Sequence, residues 1–366
     1  MNQVCLLCER TSPDGNLYCQ EPYCPAEMSP IILDYGDWFG DIEIVRPLVV
    51  LRSAAIYEAM HQKQRVYIKI AHPGAENKDR LKREAEFFQA IAGSKDKLDS
   101  LPTLLPPYAN TTIARDAYGK MMLREHLLYF YLFEYVSGAV LREVSVKNPQ
   151  LWINHVGWIM VDVATAINVL HRRGIYHYGL APDCILIHFD EKQNIPHVLL
   201  LDLGIASTKE ALRETWYPFF VAPAYSAPEL VPTNGNTVRA DFRTDVYGLG
   251  LSLYELLVGE PAYTYKIRSD EDVYKAVLRN TRVEMNRMED VEKVARIAMQ
   301  AVSPHMEGRQ PHAADFAEQL RSYFGDVPSE KKKRTFNLHT LMTLVVVLLG
   351  VAFFVALAIA LAGLAR

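Results

Sequence analysis

The chain has 366 residues, half of them apolar, and a formal charge of −4 at pH 7. That length suits one large domain with small appendages, and the apolar share is ample for a core, which excludes a wholly disordered chain. A charge so near balance excludes nucleic-acid binding through the field of the whole molecule, so partners must be argued locally.

Four of the five cysteines, Cys5, Cys8, Cys19 and Cys24, stand together near the start as C-x2-C followed by C-x4-C. Thiolates select Zn²⁺, and four of them close a tetrahedral site, so residues 1–30 are expected to form a zinc-ribbon-like segment around a structural zinc. Pro13, Asp14, Gly15 and Asn16 supply its turn. Two disulfides are the alternative, but MNQVCLLCER has neither a basic nor an apolar leader region, which favours zinc. Glu9, Asp14, Glu21, Glu27, Asp34, Asp37, Asp41 and Glu43 face only Arg10 as a strong base, the wrong sign for phosphate contacts. No nucleic-acid partner is expected. Residues 31–41, including YGDWFG, read as a linker with aromatic anchors.

Strand alternation follows in Ile44 to Ala59 and in Arg65 to Ala71, then a helix in LKREAEFFQAI. Gly93 to Tyr118 is rich in Pro, Asp, Asn and Thr and reads as loops around one short strand; Leu127 to Val136 is a strand. Val156, Ile159, Val163, Ile167 and Leu170 are spaced for a helix with one buried face. Further helices are expected around Glu271–Leu278, Val291–Val302 and Ala313–Phe324.

From Leu341 to Leu364 the chain is almost wholly apolar. As a helix it would rise about 36 Å, enough to cross a ~30 Å hydrocarbon layer. Residues 338–365 are thus expected to be a transmembrane helix, and 325–337 a basic tether. Lys331, Lys332, Lys333 and Arg334 precede the span and only Arg366 follows it, which orients the preceding chain to the cytoplasm as a tail-anchored protein. The same basic run could also grip an anionic membrane surface. Ala352, Ala356 and Ala360 form a small-residue stripe through which two such helices could pair as a homodimer.

Three stretches carry chemistry: GIYHYGLAPDCILI (Gly174 to Ile187), LLLDLGIAS (Leu199 to Ser207) and VAPAYSAPE (Val221 to Glu229). In register they resemble the catalytic loop, metal-binding turn and activation-segment end of the protein kinase superfamily, in its bacterial Ser/Thr branch. The resemblance covers about residues 42–324. It implies an α+β, two-lobed protein-kinase-like fold, with an N-lobe at about 42–136 and a C-lobe at about 137–324, between the zinc ribbon and the C-terminal transmembrane helix.

The same resemblance exposes what is missing. Gly179 stands at the catalytic Asp place, Ala181 at the Lys place, Cys184 at the Mg²⁺-binding Asn place, and Ala222 at the Thr that would bond the first two. Val49, Leu51 and Ala54 fall where the family has phosphate-loop glycines. Lys69 and Glu84 match the phosphate-binding Lys and its helix partner, and Asp202 is retained from D-F-G. Tyr67, however, replaces the small residue beside adenine, so ATP and Mg²⁺ are not expected cofactors. Tyr178 replaces the Arg that receives an activation-loop phosphate. Framework residues persist, with Glu229 expected to pair with Arg309 and Asp245 to cap the catalytic-loop backbone.

The function implied is a membrane-anchored pseudokinase that binds cytoplasmic or membrane proteins as a scaffold or allosteric regulator. One alternative is an active Ser/Thr kinase with displaced groups, Asp183 or Asp202 serving as base. The other is a switch that binds ATP through Lys69 and Asp202 without turnover.

Overall fold

A computed structural model describes residues 3–4, 11–12, 32–106, 116–123, 125–147, 152–190, 194–211, 221–231, 240–264, 269–285 and 288–328. The four N-terminal cysteines, the basic run Lys331 to Arg334 and the apolar stretch Leu341 to Leu364 lie outside the described residues. Near the N-terminus, Gln3–Val4 (β1) pairs antiparallel with Thr11–Ser12 (β2).

The N-terminal lobe is a six-stranded antiparallel sheet in the order β3-β4-β5-β6-β8-β7. Its strands are Trp38–Phe39 (β3), Ile42–Val50 (β4), Ala54–His61 (β5), Gln64–Ala71 (β6), Gly119–Leu123 (β7) and His126–Glu134 (β8). Alternation drives it. Leu128, Phe130 and Leu132 point to one face, and Tyr131 and Phe133 to the other. On the inner face lies helix α1, Ala75–Ile91, with Leu81, Ala85, Phe88 and Ile91 buried.

The other face of this sheet is also covered. Leu33 and Phe39 are buried against Tyr57, Phe130 and their neighbours, Phe39 meets Phe130 edge-on at 5.2 Å, and the Leu33 amide donates to the Tyr57 hydroxyl. The expected linker at 31–41 is therefore corrected: from residue 32 it is part of this lobe, because Trp38 and Phe39 find ladder partners in Glu43 and Ile42. A second correction concerns the short strand expected within Gly93 to Tyr118. The strand is Gly119–Leu123, paired with β8, while Leu104 makes only a single bridge to Phe133. Gly-Lys-Met-Met-Leu has little intrinsic strand preference, and its pairing makes it a strand.

The β5–β6 hairpin turns on Gln62 and Lys63, both at positive φ (49° and 65°), a primed turn that matches strand twist.

The C-terminal lobe is mainly helical. After Ala139–Val140 (β9) come α2 (Leu141–Lys147) and the core helix α3 (Ile153–Arg172), then Ile175–Tyr176 (β10), Ile185–Phe189 (β11), Pro196–Leu200 (β12) and Ser207–Thr208 (β13). Helices α4 (Phe242–Val258), α5 (Asp270–Leu278), α6 (Met288–Ala301) and α7 (Ala313–Phe324) complete it. Helix α3 buries its predicted face, and among the described residues it alone is long and apolar enough to cross a membrane; it is the buried core helix of this lobe. Helix α7 lies along it. Gly157 leaves no room for a side chain, since a Cβ there would stand 2.1 Å from the Phe324 ring, and Arg321 donates to the Thr165 hydroxyl at 2.8 Å.

Capping bounds helix α4 at both ends. Asp241 and Thr244 make a capping box before α4, and Gly259 closes it in the left-handed conformation. Within the lobe Arg309 holds Glu229 through two bonds of 2.7 and 2.9 Å. Asp245, near the start of α4, accepts from the amides of His177 and Tyr178 and from His171. The loop at 177–181 is thus tied to a buried helix.

Candidate active site between the lobes

The site lies where β6, α1 and the segment at 199–205 converge. Lys69 sits on β6, two residues from Tyr67 and therefore on the same face. Its ammonium, 1% exposed, lies 2.6 Å from Glu84 Oε2 and 2.5 Å from Asp202 Oδ1, and it also donates to the Leu201 carbonyl. Glu84 in turn accepts from the Leu203 amide at 2.8 Å. The structure so brings together all three of Lys69, Glu84 and Asp202, and binds them to one another.

Charge states follow from this packing. Burial alone would lower the Lys69 pKa, but the two carboxylates more than offset it and hold the ammonium charged. Burial also raises Asp202, yet the Lys69 ammonium and the Arg80 guanidinium hold it below the usual carboxylate range. Glu84 goes the other way, burial raising it above its ordinary value. Asp202 is an ionised carboxylate whose oxygens are already spent: one on Lys69, the other on the Gly204 amide at 2.9 Å.

The loop that should carry the reactive groups holds none at the matching places. Gly179 lies beside Gly204 and Val221, where an added Cβ would meet nothing closer than 3.9 Å. Packing therefore leaves room for a side chain there. Cys184 is fully buried, its Sγ 3.6 Å from the Gly179 carbonyl and 4.0 Å from Asp202. Burial pushes its thiol pKa well up, so the sulfur is protonated, and a neutral thiol is a poor ligand for a hard cation.

Asp183, the one carboxylate in this loop, is held by Arg142 at 2.7 Å, and the same guanidinium reaches Glu255 and the Tyr225 hydroxyl. His177, wholly buried and kept neutral by burial, accepts from the Gly179 amide at Nδ1. Its Nε2–H therefore donates to the Asp202 carbonyl at 2.9 Å. Tyr178 takes a positive φ of 54°, held there by its amide bond to Asp245 and by stacking on Tyr176 at 4.9 Å. Ala222 contributes its carbonyl to the turn at Pro223–Tyr225.

Aromatic groups fill the side of the cleft beside residues 134–136, the hinge through which β8 leads into the C-lobe. Tyr67 is completely buried, donates its hydroxyl to the Val136 carbonyl at 2.7 Å, and packs on Phe133 and Tyr135 at 5.2 and 5.1 Å. Across the strand pair lies Glu58, buried and bound to Arg46 of β4 at 2.5 Å. Val49 pairs with Ile56 in the sheet, while Leu51 and Ala54 close the β4–β5 turn. This cleft thus holds the Tyr67 phenol on one side, a buried Cys184 thiol beside Asp202, and a Lys69 ammonium bound by two carboxylates.

Sequence reasoning missed three of these groups. Arg80, one turn before Glu84 and so on the same buried face, donates to the Gly204 carbonyl at 3.1 Å; that spacing was its available signal. Arg46 and Glu58 face each other across the β4–β5 pair, which only the strand register reveals, and Arg142 meets Asp183 from 41 residues away with no local signal.

The protein kinase domain family model matches residues 117–323, more than half of the chain, and the chain belongs to that family. Among similar proteins is the serine/threonine-protein kinase PknB of Mycolicibacterium smegmatis, 29% identical over 215 residues, or 57% of this chain and 32% of that protein. A probable serine/threonine-protein kinase PknB of Bifidobacterium longum is 34% identical over 140 residues, covering 37% and 19%. The matches span about a third or less of these relatives' own length. Among solved structures, the kinase domain of Mycobacterium tuberculosis PknI aligns with a TM-score of 0.54 at 19% identity, covering 80% of this chain and 99% of that one. Rad53 1–466 in complex with AMP-PNP aligns at 0.55 and 21%, covering 77% and 65%. These likenesses show the two-lobed kinase fold.

Proposed function

We propose that the protein is a pseudokinase: a protein-kinase fold that does not transfer phosphate and acts by binding other proteins as a scaffold or allosteric regulator. One observation carries this reading. Tyr67 is fully buried with its hydroxyl on the Val136 carbonyl, filling the side of the cleft where a purine would lie. The state of the loop agrees with it, since Gly179 offers no carboxylate, Cys184 holds a protonated thiol, and Lys69 is taken by Glu84 and Asp202.

The displaced-base alternative asks Asp183 or Asp202 to accept a proton. Both are bound to a cation instead, Asp183 to Arg142 at 2.7 Å and Asp202 to Lys69, which holds the Asp202 carboxyl below the usual carboxylate range. The ATP-switch alternative asks Lys69 to leave both carboxylates. In the same proposal, Cys5, Cys8, Cys19 and Cys24 hold a structural zinc, and residues 338–365 anchor the chain with the kinase-like body in the cytoplasm. Its partners are then cytoplasmic or membrane proteins.

The deciding experiment is a thermal shift with ATP and with ATP plus Mg²⁺, because a ligand that binds only the folded state raises its apparent stability. No shift at millimolar nucleotide is expected. A Mg²⁺-dependent shift, with phosphate transfer abolished by Asp202→Ala, would overturn the proposal.

A further inference from the structure

The turn between β4 and β5 is braced on two sides. Leu51 N donates to the Ala54 carbonyl at 2.8 Å, closing a tight loop of only Arg52 and Ser53. Behind it His72 donates Nε2–H to the Leu51 carbonyl at 2.9 Å, and its backbone amide donates to the Ser53 carbonyl at 2.9 Å. From this loop the Arg52 guanidinium crosses to the other lobe and meets Asp270, the first residue of α5, with Nη2 to Oδ2 3.4 Å. Both side chains are largely covered, 9% and 21% exposed. Helix α5 itself packs on Pro223–Tyr225 and Pro228–Leu230, so the contact is made to a supported element.

Position gives this contact its leverage. Ala54 pairs with Ala71 at one end of β6, while Val66 at the other end pairs with Glu134 beside the hinge. Five residue steps of strand separate Val66 from Ala71, roughly 17 Å. A tie at the far end opposes rotation about the hinge over a longer arm than Lys69 does at mid-strand.

We propose that Arg52 is an interlobe latch: engaged on Asp270, it holds the β4–β5 turn down on α5 and keeps the lobes closed with no nucleotide between them. This deepens, and rests on, the reading of the cleft as nucleotide-free. The surface offered to a protein partner is then the closed one at all times, set by the chain's own side chains.

Hydrogen–deuterium exchange on the full chain tests it. Arg52→Glu should speed exchange of the Leu51 and His72 amides by about tenfold, the measure of a more populated open state. Arg52→Gln, which removes the charge without reversing it, should have a smaller effect in the same direction. The double variant Arg52→Glu with Asp270→Arg should return exchange to within about twofold of the parent, since the pair is restored with its charges swapped. Unchanged exchange in Arg52→Glu, or a double variant as fast as the single, overturns the latch. Failure of the nucleotide-free reading is distinguishable, because Mg-ATP would then add protection to the parent protein.

Discussion

Lys69 in this cleft stabilises the fold in a way that can be measured apart from any activity. Removing its charge as Lys69→Met leaves Glu84 and Asp202 buried and facing each other, and should cost about 3 kcal/mol of stability in chemical denaturation. Part of the loss should return as pH falls, because the Glu84 carboxyl, already raised by burial, then protonates. Two glycines of the same site make a contrasting pair. Gly179→Ala meets no neighbour closer than 3.9 Å and should stabilise by about 0.5 kcal/mol through the unfolded chain. Gly204→Ala, at a φ of 60° with a Cβ 2.1 Å from the His177 carbonyl, should destabilise by more than that gain, read in the same denaturation experiment. The positions of Lys69, Glu84, Asp202, Gly179 and Cys184 were legible in short strings of sequence. That Asp183 is tied to Arg142 was not, because 41 residues separate the two and nothing local announces the pairing.

Among the elements, the β4–β5 turn depends on a neutral histidine. Burial pushes His72 down to about 4 from its ordinary 6.5, so the unfolded chain binds the proton more readily than the folded one between those values. Its contribution is fully present above pH 6.5 and is lost as pH falls toward 4, on the order of 3 kcal/mol. The stability of the parent relative to His72→Gln, which keeps a donor and cannot titrate, should fall across that window. A flat difference would show that the ring is not held neutral on the Leu51 carbonyl. Helix α3 was readable from its apolar spacing, and α5, α6 and α7 were expected in their places. Strands β3 and β7 were not, since Trp38–Phe39 is too short to show alternation and Gly119–Leu123 owes its form to β8.

For the whole molecule the proposed anchor and ribbon give separate tests. Full-length protein in membranes should resist alkaline extraction, and its kinase-like body should be digested by protease from the cytoplasmic side only. Release by alkali would remove the anchor while leaving the pseudokinase reading intact. Zinc should be present at about one per chain and be lost on Cys5→Ser with Cys8→Ser. Architecture at this scale was legible because the motifs fix the order of parts of the kinase fold. The aromatic anchors of YGDWFG were legible, but which of them is buried was not, because a buried Phe39 and an exposed Trp38 look alike in sequence.

The seat of Phe324 on Gly157 has a mechanical consequence. Any pull on the chain beyond Val327 is met by Val327, itself packed on the core, and then by the last turn of α7, where the Phe324 ring is lodged against the backbone of α3. The next restraint is one turn inward, at Arg321 on Thr165. Load applied from this end would therefore peel α7 away from its C-terminal tip, contact by contact, and tension would fall first on the longest buried helix of the C-lobe, far in sequence from the cleft.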